Sequence, residues 1–145
     1  MRYQSRKSSC GPAALANALE SIGIERTEDE LGTLSKQSVD GTSSINLRKA
    51  AESIGVETFH ICEQRSEVAA WALEYHLKSG NPALLVVDND EHWIAVTGML
   101  GDRLIIVDSA DNDLLVYYTM AKFLFRWCGP SKRFTGFFLL TKDAI

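Results

Sequence analysis

The sequence predicts an α+β fold. Apolar residues recur at helical spacing through most of the first half, short runs rich in β-branched and aromatic residues fill the second, and glycine or proline punctuates the segments. A helical first half followed by a strand-rich second half makes a helical layer and a mostly antiparallel sheet. In the first helix Ser8 or Ser9 supplies a cap, Leu15, Ala18, Leu19 and Ile22 share a face, and Gly23 is the stop. Thr27 and Glu30 form a capping-box pair at the head of a short helix carrying Leu31 and Leu34, which ends before the turn Asp40-Gly41. From about Ser44 a third helix presents Leu47, Ala50, Ala51 and Ile54 and closes at Gly55, after which "VETFHI" alternates as a strand. Ser66 is the expected cap of a fourth helix, with Val68, Trp71, Ala72 and Tyr75 as its buried stripe and Gly80-Asn81-Pro82 as its end. Strands follow at "ALLVV" (83–87), "HWIAVTG" (92–98), "RLIIVD" (103–108), "LLVYY" (114–118) and "FTGFFLL" (134–140), with a helix near 119–127.

A chain of 145 residues, 46% of them hydrophobic, buries one sizeable core, and neither a Pro/Gly/Ser-rich linker nor a fixed-period repeat divides it. One domain over residues 1–145 is expected. The net charge of -4, with Lys and Arg scattered singly or in pairs, argues against a nucleic-acid or anionic-membrane partner and favours peptides or small molecules. Cys10, Cys62 and Cys128 are odd in number and far apart, so they make no disulfide framework and suit a reducing compartment, the cytoplasm. The start "MRYQSRK" has no apolar signal region, and no apolar run approaches the ~18 residues that span a bilayer.

The stretch "QSRKSSCGPAAL" delivers a thiol to the first turn of a helix. A thiol is a nucleophile only as thiolate, and a helix N-terminus stabilises that anion through its partial positive charge and free N–H groups. Pro12 fits a first turn, where its missing N–H costs nothing, and Gly11 and Ala13 are expected to leave room for a substrate backbone. Alone, such a cysteine is more often a small buried residue, so its partners decide. Of the three histidines, His60 reads as a sheet-face residue and His76 as a cation near a helix C-terminus. His92 opens a strand after the acidic loop "DNDE", at a sheet rim that a substrate can reach. Asp108 closes the next strand, and Leu100 stands midway between the two. A hairpin centred there puts His92 and Asp108 directly opposite one another, where the carboxylate orients the ring and leaves its other nitrogen for the thiol. A bulge near Gly98 is expected to weaken that geometry. Gln4, six positions before Cys10, offers a neutral amide that stabilises an oxyanion together with the Cys10 N–H.

Other signals carry less. "WCGPS" (127–131) echoes a thioredoxin site without its second cysteine, and too little chain follows it for that fold. "HIC" (60–62) has no second ligand pair at zinc spacing, and the acidic stretches "DNDE" and "DSADND" lack the glycine and terminal glutamate of a calcium loop.

Gln4, the Cys10-Gly11 pair at a helix start, His92 at the start of a strand and Asp108 at the end of the next match, by motif and by order, the bacteriocin-processing peptidases. These are papain-like cysteine proteases often fused to peptide-exporting ABC transporters. The middle segment "TEDELGTLSKQSVDGTSSINLRKAAESIGVE" is similar as well, so the resemblance covers nearly the whole chain. It departs at Ser9, where the family commonly has an acidic residue, and no transporter follows, so a stand-alone domain is expected. The resemblance implies a papain-like fold with Cys10 on a helical lobe and His92 and Asp108 on a sheet lobe. It also implies a cysteine peptidase that needs no metal or cofactor and cuts after small residues such as Gly-Gly or Gly-Ala. Its partners would be a peptide or protein substrate and a transporter or substrate-delivery protein. Two alternatives use the same cleft: an acyltransferase or isopeptidase with the same residues, and a module that grips a leader peptide without cutting it.

Overall fold

The computed structural model describes residues 10–36, 43–88, 92–110, 115–128 and 132–141. Along the chain these form α1 (Cys10–Ser21), α2 (Glu28–Leu34), α3 (Ser44–Ser53), β1 (Glu57–Glu63), α4 (Ser66–Lys78), β2 (Ala83–Val87), β3 (His92–Leu100), β4 (Arg103–Val107), β5 (Leu115–Thr119), α5 (Met120–Trp127) and β6 (Phe134–Leu140). The helix signals explain most of these limits. Thr27 and Glu30 make the reciprocal box, with the Glu30 N–H donating to Thr27 Oγ1 at 3.0 Å and the Thr27 N–H to Glu30 Oε1 at 3.4 Å. Ser43 caps α3 by accepting from the Asn46 N–H, and Gly23 and Gly55 leave α1 and α3 in the left-handed region at φ 85° and 91°.

The six strands pair antiparallel in the order β1-β6-β2-β3-β4-β5. The last described strand in sequence is therefore an inner one, wedged between edge strand β1 and β2. Gly136 makes that wedge possible, because a Cβ there would sit 2.3 Å from the Leu84 carbonyl oxygen and 2.9 Å from Leu85 Cα.

Both sheet faces are covered. Leu84, Ala95, Phe137 and Leu139 point to the face held by α1, α2 and α3, where Leu15, Leu19, Leu31 and Leu47 are fully buried. Their neighbours Leu85, Ile94, Val96 and Phe138 point the other way, to Leu73 of α4 and Phe123 and Trp127 of α5. Burial of each such side chain is worth about 1.5–3 kcal/mol against conformational entropy. The helical lobe foreseen beside the sheet thus consists of α1–α3, while α4 and α5 cover the sheet's far face.

The structure corrects the start and the face of α4. Ser66 is the first helical residue rather than the cap. The N-cap is Arg65, which makes no side-chain cap bond, and Glu63 instead accepts the Gln64 and Arg65 N–H groups, each at 3.0 Å. The buried stripe is Ala69, Leu73 and Leu77, not the expected Val68, Trp71, Ala72 and Tyr75; Trp71 and Tyr75 are 65% and 54% exposed and stack on each other at 5.3 Å. Both stripes have helical spacing, and the slimmer one lies on the sheet.

Candidate active site

Cys10 is the first residue of α1 and is buried, with 8% of its surface exposed. Pro12 lies in the same first turn, where no N–H is missed. Gly11 serves a different purpose from the one expected. It is buried against its own protein, and an added Cβ would lie 3.2 Å from Leu47 and 3.4 Å from Trp93. The small residue lets α1 settle onto α3 and β3 instead of opening a path for substrate.

His92 begins β3 and Asp108 directly follows β4. Their meeting depends on a bulge. Near the turn, Leu100 pairs with Arg103 and Gly98 with Ile105, but beyond the irregularity between Val96 and Gly98 the partners are Val96 with Ile106 and Ala95 with Val107. Continued past Val107, this ladder sets Asp108 level with Ile94, two residues from His92 and therefore on the same face. Without the extra residue Asp108 would fall level with Ala95, and His92 would point to the opposite face. The direct opposition expected around Leu100 is replaced by a diagonal pair across a turn at residues 101–102, and the bulge expected to weaken the pair creates it.

The diagonal closes with His92 Nε2 2.6 Å from Asp108 Oδ1. Asp108 Oδ1 also accepts the Ala110 N–H at 3.1 Å, and both side chains are well covered, at 15% and 3% exposure. The remaining ring nitrogen, Nδ1, is left for Cys10, with which His92 shares a hydrogen bond. The three groups stand at a rim of the sheet: α1 approaches from one face, and the His92 and Asp108 side chains lie toward the α5 face.

The charges reinforce the geometry. Burial, the largest single influence on the Cys10 thiol, would raise it, but hydrogen bonds from His92 and the Trp93 backbone, the His92 charge and the Gly11 N–H together bring it below its ordinary 9.0. Burial likewise opposes charge on His92. The bonds to Asp108 and Cys10 and the charges of both outweigh it and push the ring up to about 9 from 6.5. Asp108 is held well below the usual carboxylate range: burial alone would raise it, and the bonds to His92 and Arg126 prevail. The shifts run together toward a thiolate, an imidazolium and a carboxylate in sequence, an arrangement able to attack a carbonyl and to give up a proton afterwards.

Arg126, on α5, escaped the sequence reading. Its Nη2 donates to Asp108 Oδ2 at 2.5 Å and to Asp88 Oδ2 at 2.9 Å, and its Nε donates to Asp88 Oδ1 at 2.9 Å. Burial would ease its proton off, but the two carboxylates hold the guanidinium firmly charged. The available signal was its place on one helical face with Phe123 and Trp127, since a charge on an apolar stripe needs a partner.

Gln4 lies outside the described residues. His60 is exposed on β1. His76 is not the cation expected of it: burial lowers its proton affinity, its ring stacks on Phe138 at 4.0 Å, and its Nδ1 pairs with Asn81 Nδ2 at 3.1 Å. Cys10, Cys62 and Cys128 form no disulfide. In "WCGPS" the described part is structural, with Trp127 buried and its indole N–H donating to the Thr135 carbonyl at 3.1 Å.

The chain is similar to known proteins over nearly its whole length. The peptidase C39 family matches residues 1–143. The chain is 26% identical over 125 residues to the lactococcin-A transport/processing ATP-binding protein LcnC of Lactococcus lactis subsp. lactis, covering 84% of the chain and 17% of that protein. It is 30% identical over 125 residues to the mesentericin-Y105 transport/processing ATP-binding protein MesD of Leuconostoc mesenteroides, covering 84% of the chain and 16% of that protein. The chain thus spans about 17% of the length of such curated relatives. Among solved structures, the peptidase domain of Streptococcus ComA, a bifunctional ABC transporter involved in a quorum-sensing pathway, superposes with a TM-score of 0.75 at 23% identity, covering 97% of both chains. A double glycine motif protease from an AMS/PCAT transporter, in complex with its leader peptide, gives a TM-score of 0.68 at 24% identity, covering 95% of this chain and 86% of that one. At these identities the likeness is one of fold.

Proposed function

Because the chain belongs to the peptidase C39 family of cysteine peptidases, we propose that residues 1–145 act as one papain-like peptidase domain that removes a leader peptide by cutting after small residues, Gly-Gly or Gly-Ala. The observation that carries the proposal is the unbroken chain of contacts from the Cys10 thiol through the His92 ring to the Asp108 carboxylate. Cys10 is the nucleophile, His92 the acid and base, and Asp108 the group that fixes the ring. Gln4 takes the part of oxyanion donor on the strength of its place in the sequence motif.

The Cys10 thiolate attacks the carbonyl carbon of the scissile bond, and the resulting oxyanion is held by the Cys10 N–H and the Gln4 amide. As the C–N bond breaks, the His92 imidazolium gives its proton to the leaving amine, leaving a thioester on Cys10 and a neutral ring. That ring then takes a proton from water, whose oxygen attacks the thioester, and the thiolate leaves to restore the imidazolium pair. Asp108 accepts a hydrogen bond from the Nε2–H throughout, so Nδ1 always faces the sulfur. Small residues beside the bond and a transporter or delivery protein as partner are suggested by family kinship. The space around Gly11 supplies no physical reason for that preference, since Leu47 and Trp93 fill it.

Incubation with a synthetic leader peptide carrying a Gly-Gly junction, followed by mass spectrometry, tests the proposal. The wild type should release the leader with a free carboxylate and Cys10→Ala should release nothing. Full cleavage by Cys10→Ala would end the proposal. Products joined to an added amine would identify an acyltransferase, and selective Cys10 alkylation without turnover a binding module.

A further inference from the structure

The three catalytic groups just proposed are only as well placed as Asp108, and nothing in β4 itself fixes that carboxylate, because the strand ends at Val107. Among the described residues, two bonds from outside the triad hold it: the Ala110 N–H on Oδ1 and Arg126 Nη2 on Oδ2. Arg126 is in turn held by Asp88. The two residues grip each other twice, since the Asp88 carboxylate takes two N–H groups of the guanidinium, each at 2.9 Å, while the Asp88 backbone N–H donates to the Arg126 carbonyl at 3.2 Å. Asp88 adopts φ 54°, a left-handed conformation that a side chain other than glycine's enters at a cost and keeps only when its surroundings require it. It also stands at the close of β2, whose last residue Val87 pairs with His92. Arg126 thus joins the carboxylate that orients the ring to the end of the strand that pairs with the ring's own.

We propose that Arg126 is a positioning residue for the peptidase: anchored by Asp88, it holds the Asp108 carboxylate against His92 and ties the end of β2 to the end of β4. The proposal rests on the peptidase reading above. Charge and shape both matter. A planar guanidinium bonds to Asp88 along one edge and still offers Nη2 to Asp108, which a lysine ammonium reproduces only in part. Without a cation there, two carboxylates that shared one nitrogen face each other, and Asp108, 2% exposed, must take a proton or turn from His92.

The test compares wild type, Arg126→Gln, Arg126→Lys, Asp88→Asn and the double variant Asp88→Asn/Arg126→Gln on a Gly-Gly leader peptide, with the folded fraction of each measured by circular dichroism at the assay temperature. Arg126→Gln should lower kcat at least about tenfold with KM within about twofold, since its bonds reach the substrate only through Asp108. Arg126→Lys should recover part of kcat. Asp88→Asn should lose less than Arg126→Gln, and the double variant should lose no more than Arg126→Gln alone, because Asp88 acts through the arginine. The low-field proton resonance of the His92–Asp108 bond should shift or broaden in Arg126→Gln. If Arg126→Gln misfolds, Asp88→Asn and Arg126→Lys carry the same comparison. A folded Arg126→Gln or Asp88→Asn with wild-type kcat and an unmoved resonance would overturn the proposal. So would losses in Asp88→Asn and Arg126→Gln that multiply in the double variant. Cleavage retained by Cys10→Ala would instead sink the peptidase reading itself.

Discussion

Replacing Asp108 by asparagine keeps the shape of the side chain, leaves one oxygen where two accept, Oδ1 from His92 and the Ala110 N–H and Oδ2 from Arg126, and removes one charge from the site. In the wild type the His92 ring stands at about 9 instead of 6.5. At about 1.36 kcal/mol per pKa unit, this is on the order of 3 kcal/mol favouring the charged ring, net of burial. Two anions supply it, the Asp108 carboxylate ahead of the Cys10 thiolate. Asp108 heads the groups that raise the ring, so removing its charge should lower kcat/KM by about tenfold or more. Loss of the preferred tautomer adds to that, because an asparagine amide can present N–H as well as oxygen to Nε2. The sign in pH follows from which form works. The imidazolium holds its proton below its pKa, so wild-type kcat/KM should persist to about 9 and fall above it, and in Asp108→Asn the fall should begin a unit or two lower. The assay is kcat/KM for a Gly-Gly leader peptide from pH 6 to 10, with circular dichroism to confirm folding. A folded Asp108→Asn with kcat/KM within about threefold of wild type and an unmoved alkaline limb would refute the part given to Asp108.

Three further outcomes follow from the same contacts. Cys10→Ala should abolish turnover with little change in thermal stability, since a small residue at a helix start is easily replaced, and residual turnover above background would contradict the nucleophile assignment. Gly136→Ala should destabilise by about 3 kcal/mol or more in denaturant unfolding, because its Cβ would overlap the Leu84 carbonyl oxygen at 2.3 Å; a change below about 0.5 kcal/mol would show that β6 shifts to admit it. A peptide library should return Gly-Gly and Gly-Ala before the cut, and equal cleavage after leucine or arginine would remove the small-residue preference while leaving Cys10 and His92 in place.

The parts of the fold that local chemistry controls were legible in the sequence. The Thr27–Glu30 box, the glycines at 23 and 55 and the strand runs each fix a segment through its own residues, and the structure keeps them. Cys10, His92 and Asp108 could be singled out because their types and places at element ends are written in the chain. What sequence could not give is set by packing between elements. Two stripes on α4 have the same period, and only the sheet beneath decides that Leu73 goes in and Trp71 stays out. The bulge before Gly98, which puts His92 and Asp108 on one face, arises from how β3 and β4 pair across their two-residue turn. Arg126 reached the site from α5, a helix that no spacing rule connects to β4.

The pH dependence of Cys10 alkylation bears most directly on the charged chain from thiol to carboxylate. Wild type and His92→Ala are treated briefly with iodoacetamide from pH 5 to 10, and the label on each cysteine is read by mass spectrometry, with exposed Cys62 as the internal standard. The thiolate–imidazolium pair predicts that Cys10 reacts below the ordinary thiol range and that His92→Ala moves its profile upward. A Cys10 that titrates alongside Cys62, or one whose profile His92→Ala leaves unmoved, would contradict it.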